Sequence, residues 1–150
     1  MSEANALRPM PVDGSADLRL VLIAGYGRSG STVLDRVLGH HPDVFSAGEL
    51  VNAQRELWVA NNYCGCGERG RDCPFWGEVR SRWQGGRGDD VVERYLYLRR
   101  RAIGRVGLRR RVGPSAEERD EFVSENAALY QSNAAVSGCR TIVDSSKLSS

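Results

Sequence analysis

Residues 25–32, GYGRSGST, follow the G-x-x-x-x-G-K-[ST] frame of a phosphate-binding loop except at one position. Gly25 and Gly30 hold the frame, and Ser31 stands where the lysine would be. Such a loop works by converging backbone N–H groups on one point, where a helix start adds partial positive charge. That arrangement suits an anion, and the missing lysine leaves open which phosphorylated ligand it holds.

The elements on either side must put the loop in that role. Residues 18–24, LRLVLIA, form a short, nearly continuous apolar run, as expected of a strand buried on both faces. From Thr32 to residue 38, Val33, Leu34, Val37 and Leu38 fall on one helical stripe. The order is therefore strand, glycine loop, helix. Pro42 after His40 and His41 ends that helix, because the residue before proline is pushed out of the α region. Imidazoles at a helix end serve as caps, so neither histidine is nominated as a base.

Further along, residues 43–47 suggest a short strand, and Gly48-Glu49-Leu50 leads into an amphipathic segment reaching about Ala60. Residues 61–70 are a loop rich in glycine and cysteine, 74–83 begin a helix, and 85–88 are a break. Residues 90–111 read as a basic helix with eight arginines, those at 99–101, 105 and 109–111 set against Glu93 as the nearby acid, weakened by Gly104 and Gly107. An arginine run of this kind is either a solvated face or a surface for an acidic substrate or partner. Ser115 and Glu118 have capping-box spacing, and Gly138 is the matching stop. Residues 140–143 supply a second buried strand that runs into Asp144-Ser145-Ser146-Lys147.

The overall composition constrains function only loosely. The chain has 150 residues, enough for one domain, and 41% of them are hydrophobic, a globular proportion. A net charge of +2 argues against general nucleic-acid binding. The start of the chain lacks a basic, apolar leader pattern, and no apolar run is long enough for a membrane span, so a cytoplasmic protein is expected. Residues 1–17 are polar, with Pro9, Pro11 and Gly14, and are expected to form a flexible arm, leaving 18–150 as the folded part.

Cys64, Cys66 and Cys73 give C-x-C-x6-C, with Cys139 far away. Structural zinc usually takes four ligands at wider spacings, so reduced thiols or a redox-sensitive pair are the expectation. The loop is expected to border a pocket together with Trp58, Tyr63, Phe75 and Trp76.

The loop GxGRSGST after a strand, the His-Pro helix end and the Gly48-Glu49 pair resemble the sulfotransferases that use 3′-phosphoadenosine 5′-phosphosulfate. The nearest patterns are the R-S-G-T-T loops of bacterial sulfotransferase-family proteins and of tyrosylprotein sulfotransferases, from which Ser31 departs while keeping a hydroxyl. C-x-C-G…C-P-F-W and V-D-S-S-K segments, typical of the bacterial branch, match here at residues 64–67, 73–76 and 143–147.

The resemblance implies an α/β fold, a P-loop-like parallel sheet flanked by helices. It implies binding of the donor's 5′-phosphosulfate by Gly27, Arg28, Ser29, Gly30, Ser31 and Thr32. Glu49 would be the base for an acceptor hydroxyl, with Arg28 and Lys147 steadying the leaving phosphate. No metal is required by this scheme. The acceptor class and the oligomeric state stay open. The family's 3′-phosphate clamp lies one strand beyond the D-S-S-K element, so the chain is expected to be an N-terminal fragment whose incomplete sheet keeps a bare edge. Two alternatives remain: an atypical P-loop nucleotide kinase or hydrolase, with Asp144 as magnesium ligand, and a catalytically incomplete binding module.

Overall fold

The three strands are arranged around the last of them. In the structure, a computed structural model describing residues 18–25, 28–103 and 113–147, β3 (Thr141–Asp144) lies between β1 (Arg19–Leu22) and β2 (Val44–Ser46). Both pairings are parallel, with Leu20 opposite Ile142 on one side and Phe45 opposite Ile142 on the other. Parallel neighbours need crossover connections, and helices supply them. The crossovers use α1 (Ser31–Leu38), α2 (Leu50–Ala53), α3 (Pro74–Gln84), α4 (Asp90–Ile103) and α5 (Ala116–Ser137). The expected flexible arm, residues 1–17, and the far end of the basic helix lie outside the described residues.

The long helices begin and end where local chemistry directs. Ser115 Oγ accepts a hydrogen bond from Glu118 N–H, and the Glu118 carboxylate accepts one from Ser115 N–H, so the capping box is complete. Gly138 closes α5 in the left-handed region, at φ 71°. Pro74 opens α3, where its missing N–H costs nothing. His40 Nδ1 donates to the Arg36 carbonyl at the end of α1, a capping role.

The core is aromatic. Trp58 stacks on Trp83 at 5.4 Å, and Tyr95 meets Trp83 edge-on at 5.5 Å. Val79, Leu98, Leu129 and Ile142 complete a buried layer between the helices and the central strand. The Tyr95 hydroxyl donates to Asn126, so its polar end is satisfied inside the layer.

One expectation is overturned. β1 is not buried on both faces: Leu20, Val21 and Leu22 are all exposed, Leu22 at 68%. The cause is topological, since β1 is an edge strand paired only with β3, while α5 packs on β3 and α1 on β2 and β3. The apolar stripe of α1 is exposed too, at Val33, Leu34 and Val37, while the helix turns Ser31 and Asp35 inward. The strand expected at the end of the described chain is the buried one, with Ile142 and Val143 almost inaccessible.

The arginines of α4 also find partners that sequence spacing hides. Arg94 pairs with Glu121 and Arg101 with Glu118, both on α5, while Arg87 in the preceding turn pairs with Glu125. Much of the described basic face is thus matched by an acidic stripe on the neighbouring helix. Among the described residues, no helix is long and apolar enough to cross a membrane.

Candidate active site at the carboxyl edge of the sheet

All three strands point their carboxyl ends the same way, and each delivers one part of the site. β1 leads to the glycine loop, β2 to Gly48-Glu49, and β3 to Asp144-Ser145-Ser146-Lys147. Ligands of open parallel sheets bind at this edge.

In the loop, Arg28 has a left-handed backbone, at φ 64°, which is uncommon for a residue with a side chain. Gly30 follows at φ 81° as the cap of α1. A side-chain carbon at Gly25 would lie 2.7 Å from Ser29 Oγ, so that hydroxyl would have to rotate away. Val33 and Leu34 N–H both donate to the Gly30 carbonyl, and the first N–H groups of the helix, those of Ser31 and Thr32, lie at its open end. Ser31 is buried with its hydroxyl unpartnered, whereas Arg28, Ser29 and Thr32 are exposed. One turn on, the buried Asp35 accepts a hydrogen bond from Ser145 Oγ at 3.3 Å, tying α1 to the end of β3. Gly27 lies outside the described residues.

The other two segments are laced together. Ala47 N–H donates to the Val143 carbonyl and Ser145 N–H to that of Gly48. Asp144 is buried, and its carboxylate accepts from Leu50 N–H, Ser146 N–H and the Tyr130 hydroxyl, the last at 2.6 Å. Burial, with the Asp144 carboxylate beside it, holds the Tyr130 phenol well above the usual tyrosine range. Val51 N–H donates to Ser146 Oγ. These hydrogen bonds make the Asp144 carboxylate a tie between β3, α2 and α5.

These ties bring Glu49 and Lys147 together. Lys147 Nζ lies 3.6 Å from Glu49 Oε1. Glu49 Oε2 accepts from Asn52 Nδ2 at 2.9 Å, and Asn52 Oδ1 accepts from Arg99 at 2.7 Å. Burial, and then the charge of Arg55, lower the Arg99 guanidinium below its ordinary value. Neither Asn52 nor Arg99 was nominated from the sequence. The i, i+3 spacing from Glu49 to Asn52 was a usable signal, whereas Arg99 was hidden in an arginine run.

Beside Glu49 opens a cleft of about 470 Å³, walled by Ala47, Asn52, Arg55, Glu56, Tyr63, Cys64 and Trp76 among others. Its floor comes from α2 and the π-helical turn that continues it, Gln54–Val59. π-Turns are rare and concentrate at functional sites. Tyr63 and Trp76 line the cleft as expected. Trp58 is instead in the core, and the half-buried Phe75 stacks on Phe45 at 4.7 Å beside a separate cleft. The structure gathers Cys64, Cys66 and Cys73, none joined to another by a disulfide, with their sulfurs within 4.8 Å of one another.

A parallel α/β sheet bearing a glycine-rich loop, a carboxylate and an ammonium group at its carboxyl edge is an architecture suited to group transfer. Residues 21–66 match the model of the sulfotransferase family, a span running from β1 through the loop, α1, Glu49 and the cleft helix to Cys66. The match indicates sulfuryl transfer as the general class of reaction. No curated protein and no solved structure matches the chain.

Proposed function

We propose that the chain carries the catalytic edge of a sulfotransferase that moves a sulfuryl group from 3′-phosphoadenosine 5′-phosphosulfate to an acceptor hydroxyl. The observation that carries this reading is the 3.6 Å approach of Lys147 to Glu49, across the sheet edge that the glycine loop also borders. Sulfuryl transfer sets an attacking oxygen and a leaving oxygen in line through sulfur, so a base and a cation must flank one small volume.

The donor fits the residues present. Its 5′-phosphate is an anion, and the start of α1 offers N–H groups, the Gly30 turn and the unpartnered Ser31 hydroxyl. Ser29, Ser31 and Thr32 would hold that phosphate through their backbone, with Gly27 and Gly30 allowing close approach. When bound, the donor supplies the sulfuryl group and an oxygen that receives the electron pair of the broken S–O bond. Arg28 and Lys147 would stabilise the charge growing on that oxygen. Glu49 would accept the proton of the acceptor hydroxyl, with Asn52 fixing its carboxylate plane. The cleft beside Glu49 would receive the acceptor.

Titration calorimetry with 3′,5′-adenosine bisphosphate and with ATP, each with and without magnesium, tests the reading. Magnesium-independent binding of the bisphosphate, reduced by Arg28→Ala, is expected. Binding of ATP that requires magnesium, with none of the bisphosphate, would assign the loop to nucleotide hydrolysis or phosphoryl transfer instead.

A further inference from the structure

Three thiols outside the sheet edge converge on one point. Cys73 Sγ lies 3.6 Å from Cys66 Sγ and 3.6 Å from Cys64 Sγ, and all three sulfurs are within 4.8 Å of one another. A tetrahedral ion with metal–sulfur bonds of about 2.3 Å holds its sulfurs roughly 3.8 Å apart. Two of the three edges therefore stand close to that length before any ion is bound.

The backbone holds the sulfurs there. Cys64 N–H donates to the Glu68 carbonyl at 2.8 Å and Gly67 N–H to the Cys64 carbonyl at 2.9 Å, a tight turn that places Gly67 at φ 95°. A bridge between Tyr63 and Arg69 closes the turn, and Cys73 N–H donates to the Arg69 carbonyl, bringing the third thiol in from the cap of α3. Gly70 packs so tightly on the Leu57 backbone that a side-chain carbon there would lie 2.4 Å from the Leu57 carbonyl oxygen. The frame thus carries much of the ordering cost that flexible ligands would otherwise impose on binding.

A disulfide fits this arrangement less well. Cys73 is equidistant from two partners, so no pair is selected, and any bridge would strand the third sulfur. One thiophilic ion uses all three. Cys73 is buried, Cys64 half-buried and Cys66 exposed, which leaves an entry side for an ion.

We propose that Cys64, Cys66 and Cys73 bind one thiophilic divalent ion of the zinc type as three thiolates. Among the described residues no histidine or carboxylate joins the set, so water or a small exogenous ligand takes the fourth position. Binding releases three thiol protons to solvent and leaves sulfur in its reduced state. The ion would brace the loop that walls the cleft at Cys64. This assignment does not depend on the sulfuryl-transfer reading.

The test uses the whole chain, reduced, stripped with a chelator and titrated with Co²⁺ under anaerobic conditions. The expected result is saturation at one Co²⁺ per chain with sulfur-to-cobalt charge-transfer absorption, bleached by Zn²⁺. Cys66→Ser, at the exposed thiol, should weaken binding by about tenfold or more, as should Cys73→Ser if it folds. Cys139→Ser should change nothing, because that thiol lies against the Pro42 carbonyl and outside the cluster. Three results overturn the proposal: no charge-transfer absorption from the reduced chain, absorption unchanged in Cys66→Ser, or a disulfide among the three cysteines in protein isolated without oxidant.

Discussion

Lys147 Nζ stands 3.6 Å from Glu49 Oε1, an ammonium and a carboxylate brought to one point by two adjacent parallel strands. They are far apart in sequence, and the hydrogen bonds between the Gly48 turn and the end of β3 hold them together. In the transfer reaction proposed above, Glu49 would accept the acceptor's proton and Lys147 would stabilise the leaving oxygen. Glu49→Gln should therefore lower turnover with an unactivated hydroxyl acceptor by about 10²–10⁴-fold while leaving the donor's dissociation constant nearly unchanged. Steady-state rates set beside calorimetric donor binding check this; equal losses in both would make Glu49 a structural residue.

Arg28 is exposed and has a left-handed backbone, so its side chain can be removed without opening the core. Arg28→Ala should reduce sulfuryl transfer by about 10²–10³-fold with the far-ultraviolet dichroism of the wild type. Arg28→Gly should lose the same activity yet unfold at slightly higher urea concentration, because glycine relieves the positive φ at a cost in freedom of about 1 kcal/mol or less. Near-normal turnover in either variant would dissociate Arg28 from the reaction.

Asn52 links Arg99 to Glu49 and should act by position. Asn52→Ala should lower kcat more than it raises KM, and Asn52→Asp, which turns its donor into a second carboxylate beside Glu49, should shift the acid limb of the pH–rate profile upward. An unchanged pH profile would reduce Asn52 to a helix-surface residue.

Asp144 ties three elements and should matter chiefly for folding. Asp144→Ala removes the acceptor for the Tyr130 hydroxyl and for two backbone N–H groups inside the protein. Hydrogen bonds to a charged group contribute about 1.5–3 kcal/mol each, so a loss of about 3 kcal/mol or more in urea unfolding is expected. A loss under about 1 kcal/mol would show that water replaces the network readily.

Glu118 gives the fold an acid-sensitive point. The Ser115 N–H, then the Tyr97 hydroxyl and Arg101, hold its carboxyl at about 2, against an ordinary 4.5. A depressed carboxyl stabilises the fold above its unfolded value, and that contribution is lost as pH falls from about 4.5 toward about 2. Glu118→Gln keeps the capping hydrogen bond but carries no titrating charge. Urea midpoints measured across this window should fall less steeply for the variant; parallel curves would contradict the assignment.

Local chemistry alone set most of the element boundaries. The Ser115–Glu118 box, Gly138, Pro74 and the glycines of the loop act within a few residues of themselves, so they are readable without a fold. The order of loop, Gly-Glu and D-S-S-K segments likewise pointed to the family whose model matches residues 21–66. Strand order was not readable. It made β3 the buried centre and left Leu20 and Leu22 of an equally apolar β1 on an edge, because burial depends on neighbours that pairing alone assigns. The same long-range closure decided the cross-helix ion pairs of Arg94 and Arg101 and the contacts of Arg99 with Asn52 and of Lys147 with Glu49. Each joins residues far apart along the chain, so only the packed fold brings them within reach.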